Sequence, residues 1–254
     1  MDPTFYDRLA PHYHLLYPDW EGSIERQGAA LAALLEDVGV LPGDPVLDVA
    51  CGIGTQTIGL LRRGYRVAAS DLSAGAVERA RAELRARGLD APVTVADMRD
   101  LTPAPNTPPA ARAAAVLACD NAVSHLLSDA EIMATFRCWH DALRPGGAAI
   151  VSIRDYATIA RQSPDVRPYG LRADGDERRM AVQVWEWEDD DVYDMRLYLT
   201  DEHPIGTCST EVLHSRHYAV TVARLLELVR AAGFARVERR DGVLFQPVVV
   251  GIRR

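Results

Sequence analysis

The chain has 254 residues, enough to bury one sizeable core, and a formal net charge of −8 that argues against a non-specific nucleic-acid binder. All 28 basic residues are arginine, which excludes a P-loop lysine, a Schiff-base lysine and a lysine general base. The four cysteines, Cys51, Cys119, Cys138 and Cys208, show no C-x-x-C spacing, no apolar run approaches the ~20 residues of a membrane span, and residues 1–5 lack signal-peptide character, so a cytoplasmic location is expected.

Residues 5–18 carry Phe5, Tyr6, Tyr13 and Tyr17 with His12 and His14, and Trp20 follows; the spacing suits a helix or a lid. An amphipathic helix is predicted over 22–38 through Ile24, Leu31, Leu34, Leu35 and Val38, stopped by the turn at Pro42-Gly43-Asp44-Pro45. Val46, Leu47, Asp48 and Val49 read as a buried parallel strand that feeds the turn Ala50-Cys51-Gly52-Ile53-Gly54 and a helix over 55–61. The unpaired N–H groups of that helix start point at the turn, and Gly52 and Gly54 let a ligand approach where a Cβ would collide. Thr57 stands where the dinucleotide fingerprint G-x-G-x-x-G has its third glycine. Cys51, inside the turn, is read as a small packed residue.

A second strand, 65–71, ends in Asp71, 23 residues after Asp48, about where a ribose diol is gripped. Helix 74–87 presents a solvated charged face. A third strand over 93–96 ends in Asp97-Met98, a carboxylate for an adenine amino group and an apolar side chain for the ring. A proline-rich surface loop is expected at 102–109, then a fourth strand, 113–117, delivers Cys119, Asp120 and Asn121 to the sheet edge where open α/β folds bind ligands. A fifth, 148–153, ends in Arg154 on the same edge. Alternating patterns at 180–187, 192–200 and 211–218 predict an antiparallel insertion over the substrate pocket, with the acidic run 188–191 as a solvated hairpin tip. Helix 220–232 and strands 236–240 and 243–252 complete the chain. His214 and His217 are read as chance neighbours, and no metal site is expected.

The DVACGIGT turn, the Asp71 strand end, the VADM segment and Leu143-Arg144-Pro145-Gly146-Gly147 together resemble the class I S-adenosylmethionine-dependent methyltransferases over roughly residues 46 to 152. More narrowly, Asp120-Asn121-Ala122-Val123-Ser124-His125-Leu126 and Ser152-Ile153-Arg154-Asp155-Tyr156 are similar to the glycine and glycine/sarcosine N-methyltransferases. The resemblance implies an α/β, Rossmann-like fold: a seven-stranded, mostly parallel sheet with helices on both faces, an antiparallel last strand and an antiparallel cap. One domain is expected, with a lid and helix at 1–40, a cofactor core at 41–156, the cap at 157–219 and the closing elements at 220–254.

The implied cofactor is S-adenosylmethionine, and its expected contacts are Tyr13, Arg26, Asp48, Ala50, Gly52, Gly54, Asp71, Leu72, Asp97, Met98, Asp120 and Asn121. Within that set Arg26 is a fork for the methionyl carboxylate, and Asp48 bonds either the turn or the methionyl ammonium. The resemblance maps Arg154 onto the arginine that holds the substrate carboxylate, and Asn121 onto a polar residue near the acceptor nitrogen. His125, four residues after Asn121 and so on the same helical face, either approaches the acceptor or fastens that helix. Asn121, His125 and Arg154 are the expected catalytic residues, and Tyr6, Tyr17, Arg154 and Tyr156 the expected substrate contacts. The partner is a small-molecule methyl acceptor, an amine or amino acid, with no nucleic acid and no membrane. The alternatives are a larger or heteroaromatic natural-product acceptor and a non-catalytic adenosylmethionine-binding module.

Overall fold

Apolar strands that alternate with helices bury both faces of a parallel sheet, and the fourth strand illustrates the rule. The structure, a computed structural model, describes residues 4–101, 112–174, 177–203 and 206–254; the proline-rich loop expected at 102–109 lies outside the described residues. The parallel strands are β1 (Pro45–Asp48), β2 (Arg66–Asp71), β3 (Val93–Val95), β4 (Ala113–Ala118) and β5 (Leu143–Ser152). Every residue of β4 is buried, with Val116 and Ala118 in the cluster on one face and Ala115 and Leu117 in the cluster on the other.

Helix α1 (Thr4–Leu9) is followed by a 3-10 turn at Tyr13–Leu16. The remaining helices are α2 (Trp20–Asp37), α3 (Thr55–Leu61), α4 (Ala74–Ala86), α5 (Asp129–Ala142) and α6 (Val222–Ala231). Strands β6 (Asp165–Asp174), β7 (Glu177–Trp187), β8 (Val192–Glu202) and β9 (Cys208–Tyr218) form a separate antiparallel sheet in sequence order. Strands β10 (Arg236–Arg240) and β11 (Val248–Ile252) close the main sheet, whose order is β10-β11-β5-β4-β1-β2-β3, with β11 antiparallel to both neighbours. The order reverses at β1, between β2 and β4, which opens a crevice at the carboxyl ends of β1 and β4.

The cap sheet turns one face to the core. Tyr193, Met195, Leu197 and Leu199 alternate inward along β8 and join the same buried cluster as Phe5, Leu9 and Tyr156.

Three sequence expectations change. Strand β6 is additional to the three cap strands expected; it is an edge strand whose register shifts between Pro168 and Gly170, and an edge tolerates proline. The last strand starts at Val248, not 243, because Pro247 lacks the N–H a ladder needs, and Val243, Leu244, Phe245 and Gln246 instead line a cavity. Residues 5–18 are broken by Pro11 into α1 and the separate 3-10 turn.

Helices α2 and α3 touch through glycine. A Cβ at Gly59 would stand 2.7 Å from Gly28 Cα and 2.7 Å from the Ile24 carbonyl oxygen, so the two backbones meet with no side chain between them. This contact fixes where α3 begins and hence where its free N–H groups point. Gly59→Ala is expected to destabilise the protein by about 1–3 kcal/mol, read as a lower midpoint of urea unfolding at unchanged m value.

Candidate active site

Strand β1 ends in Asp48, and the chain then turns through Gly52 (φ 53°) and Gly54 (φ 96°) into α3. Both glycines occupy left-handed backbone. Asp71, at the end of β2, receives the N–H of Gly52 at 2.8 Å and that of Ser73 at 2.9 Å, which ties the turn to the neighbouring strand. A Cβ on Gly52 would lie 3.3 Å from the Tyr13 ring, so the lid tyrosine closes on the turn where a side chain is missing. Gly54 faces Ile58 and Ala80 instead and only shapes the turn.

Asp48 is buried, accepts the Thr57 hydroxyl at 2.6 Å and borders neither cavity described below. Its place is with the turn, one of the two expectations for it. Burial drives its pKa from 3.8 up to about 7, opposed by the Thr57 hydrogen bond and assisted by the Asp71 charge.

At the end of β4, Asp120 (φ 55°) and Asn121 (φ 71°) both adopt left-handed backbone, a costly state for non-glycine residues. Ser152 on β5 holds them, its hydroxyl accepting the Asp120 N–H at 2.8 Å and its carbonyl the Asn121 N–H at 3.0 Å. Asn121 therefore precedes a 3-10 turn, Ala122–His125, instead of sharing an α-helical face with His125. Its amide is fully used: Nδ2 donates to Ser124 Oγ at 2.7 Å and to Tyr156 Oη at 2.8 Å, and Oδ1 accepts the Arg154 N–H at 3.0 Å. Asn121 lines a cavity as a positioning residue. Tyr156 is fully buried behind it and borders neither cavity, contrary to its expected substrate contact.

Two cavities meet at the crevice. The smaller, about 60 Å³, is bordered by Ala50, Gly52, Asp71, Leu72, Asp97 and Met98. The larger, about 500 Å³, is bordered by Arg26, Arg154, Tyr169, Gln183, Tyr193, His217 and Gln246 among others. Tyr6, Tyr13, Tyr17, Asp120 and His125 border both and form the constriction between them. Asp120 Oδ2 accepts from Tyr17 Oη at 2.9 Å and Gln56 Nε2 at 3.1 Å, while its buried Oδ1 has no partner among the described residues. His125 Nε2 lies 2.7 Å from Tyr6 Oη, and burial lowers its pKa to about 4.

The lining of the smaller cavity suits the adenosine end of the expected cofactor, although at about 60 Å³ the cavity does not hold the whole molecule. It offers apolar Leu72 and Met98 for a flat base, acids at Asp71 and Asp97 for hydroxyl and amino donors, and the open oxygen of Asp120 for an ammonium. Two expected contacts differ in detail. Asp97 already holds the Arg99 guanidinium at 2.6 Å. Arg26 lines the larger cavity, which Asp120 also borders, and it donates to Ser23 Oγ at 3.0 Å and lies 3.5 Å from Asp19.

Tyr169, Gln183, Tyr193, His217 and Gln246 were missed in the sequence. The inward alternation of β8 marks Tyr193, and that of β9 places Leu213 and His217 among its buried residues. Cys51 and Cys119 are buried, and burial pushes both thiols well above their ordinary pKa, as packed residues require. No His, Cys, Asp and Glu group of metal-binding kind occurs among the described residues. None of the described helices is long and apolar enough to cross a membrane.

Comparison with known proteins agrees with this geometry. Residues 46–147 match the methyltransferase domain family. The cypemycin N-terminal methyltransferase of a Streptomyces species is 25% identical over 232 residues, covering 91% of this chain and 87% of that protein. An amino pentose methyltransferase from Micromonospora echinaspora, solved with S-adenosylmethionine bound, superposes with a TM-score of 0.74 at 19% identity over 91% of this chain and 92% of that one. A sugar N-methyltransferase from Streptoalloteichus gives a TM-score of 0.73 at 19% identity over 91% and 88%. These comparisons support an S-adenosylmethionine-dependent methyltransferase enzyme, with a methyltransferase domain at residues 46–147 and a Rossmann-like methyltransferase fold.

The Asp48 environment gives a pH-dependent prediction. A carboxyl whose folded pKa is raised contributes stability that is intact below 3.8 and lost as pH rises through about 7. Asp48→Asn keeps an oxygen to accept from Thr57 and removes the buried charge. It is expected to raise thermal stability more at pH 8 than at pH 5, by up to about 4 kcal/mol, measured by melts at both pH values.

Proposed function

We propose that this methyltransferase methylates the nitrogen of an amine that also bears a carboxylate, on a molecule larger than glycine. The observation that carries the reading is Arg154. Its guanidinium lies on the wall of the larger cavity, 5.2 Å over the Trp185 ring and 3.5 Å from Tyr169 Oη, and has no carboxylate within salt-bridge distance among the described residues. The adjacent Asp155 pairs with Arg239 at 2.9 Å instead. A partly buried cation flanked by aromatic faces and hydroxyls is incompletely compensated, so an acceptor carboxylate gains a charge-assisted fork.

The larger cavity, about 500 Å³, leaves room beside the part of the cofactor that the smaller one does not hold for an acceptor larger than glycine. The relatives, an N-terminal methyltransferase, a sugar N-methyltransferase and an amino pentose methyltransferase, favour nitrogen in the same way.

When bound, S-adenosylmethionine supplies a methyl carbon activated by its sulfonium charge. The chain's own residues hold and orient. Gly52, Asp71, Asp97, Met98 and Asp120 seat the cofactor in the smaller cavity. Arg154 orients the acceptor in the larger one, and Tyr6, Tyr13 and Tyr17 form the constriction and exclude water from it. Positioning of this kind supplies on the order of 7–11 kcal/mol of the barrier reduction.

The test uses methyl-labelled S-adenosylmethionine with glycine, sarcosine, larger α-amino acids, amino sugars with and without a carboxylate, and short peptides with free N-termini. Carboxylate-bearing amines are expected to be methylated in preference to their methyl esters. Arg154→Ala is expected to raise the KM of the best acceptor about 10- to 100-fold with a smaller change in kcat, in a protein whose circular dichroism is unchanged. Equal turnover of acid and ester, or an unaltered KM in the variant, overturns the carboxylate clamp. Label transfer to glycine and sarcosine alone would instead restore the narrower glycine-type reading.

A further inference from the structure

We propose that His217 is the group that takes the proton displaced from the acceptor, and that its Nε2 is the basic atom in the larger cavity. The proposal rests on the methyl-transfer reading above, and it places the proton acceptor on the cap sheet.

The hydrogen bonds fix which nitrogen of His217 carries the hydrogen. Its Nδ1 lies 2.9 Å from Ser124 Oγ. That oxygen also receives Asn121 Nδ2 at 2.7 Å and lies 2.7 Å from the Asn121 carbonyl oxygen. A hydroxyl has one hydrogen and two lone pairs, and an amide NH₂ can only donate. The arrangement that uses all three sends the Ser124 hydrogen to the Asn121 carbonyl, one lone pair to Asn121 Nδ2 and the other to His217 Nδ1–H. Nε2 is then left with its lone pair. This nitrogen is buried, belongs to a ring that lines the larger cavity, and has no hydrogen-bond partner among the described residues.

His125 is differently placed. Its ring is 4.3 Å from that of His217, but its Nε2 is engaged by the Tyr6 hydroxyl at 2.7 Å. Of the two histidines, His217 is therefore the one whose ring nitrogen has no partner among the described residues. The ring is clamped against Tyr193, at 5.1 Å and 11° between planes, so the lone pair has a fixed direction. Burial, followed by the His125 and Arg154 charges, holds the imidazole well below its ordinary pKa, so it is neutral and able to accept at pH 7.

For each methyl gained, one N–H bond of the acceptor breaks and its proton passes to Nε2. The nitrogen keeps its electron pair count by forming the N–C bond, and the pair of the broken C–S bond stays on sulfur. The imidazolium returns its proton to water as the products leave. An acceptor nitrogen without a hydrogen would press a methyl group against the buried Nε2. Primary and secondary amines are accordingly the acceptor class, and methylation stops at the tertiary amine.

Two measurements test this. The first needs no acceptor: in protein labelled with [15N]histidine and saturated with S-adenosylhomocysteine, the His217 nitrogens are expected to show a protonated Nδ1 and an unprotonated Nε2. A protonated Nε2 overturns the proposal. The second compares His217→Gln and His217→Ala with wild type, using the amine from the panel that wild type methylates fastest. The variants are expected to bind S-adenosylhomocysteine within about twofold of wild type and to lose about 100-fold in kcat with a smaller change in KM. Added imidazole is expected to restore activity to His217→Ala and to leave His217→Gln unchanged. Retained kcat, or a loss that imidazole does not rescue, overturns the role. A wild-type protein that methylates no amine of the panel refutes the methyl-transfer reading of the site instead, whatever the tautomer found.

Discussion

The buried amide of Asn121 is the interaction on which the rest of the site depends. Its two ends bind Ser124 in the following 3-10 turn and, in the segment after β5, the Tyr156 hydroxyl and the Arg154 backbone. Each bond carries further. Ser124 reaches His217 on β9, and Tyr156 Oη lies 2.9 Å from Tyr193 Oη on β8, so one side chain of the core sheet fastens the cap by two routes. The left-handed backbone at Asp120 and Asn121 is the cost of this arrangement, and the hydrogen bonds to Ser152 offset it. Without that conformation the Asp120 carboxylate would not stand between the two cavities, and the 3-10 turn would not bring His125 to the same place.

The electrostatics follow from burial more than from pairing. Arginines elsewhere on the surface meet acids freely, as Arg144 meets Asp44 at 2.9 Å and Arg224 meets Asp129 at 2.7 Å. Such exposed pairs add little stability. Around the constriction the acids are instead held without cations: burial raises Asp48, Asp71 and Asp120 together. Three buried carboxyl groups clustered at the ends of three adjacent strands, whose pKa values burial raises, make a site where a positive charge would favour their ionised forms. The site on the other side of the tyrosines has the opposite polarity, with Arg154 and two neutral histidines. That change of sign falls at the constriction between the two cavities.

The core was legible in the sequence because its signals are local. A strand, a glycine turn and a helix start lie within ten residues, and the acids at the strand ends follow at spacings set by one β-α unit. The cap was legible only in part. Alternation gave β8 but not the edge strand β6, whose register shifts between Pro168 and Gly170, and nothing local distinguished His217 from a chance histidine. Its partners are remote, Ser124 being 93 positions away, and only the antiparallel register of β8 and β9 brings Tyr193 opposite His217. Asn121 failed for a related reason. Four-residue spacing implied an α-helical face, yet the Ser152 hydrogen bonds hold the backbone left-handed and give a 3-10 turn.

The division of labour between the two sheets explains why the fold needs a cap at all. A methyl donor that carries its own leaving group requires the protein to hold two molecules in line and to keep water out. The main sheet can fix one of them, since its strand ends converge at a single crevice. The second molecule lies beyond that edge, where the main sheet has no more backbone to offer. Strands β7, β8 and β9 supply the missing wall with Gln183, Tyr193 and His217, and the 3-10 turn and lid supply the constriction. The length and register of these strands therefore set the extent of the larger cavity.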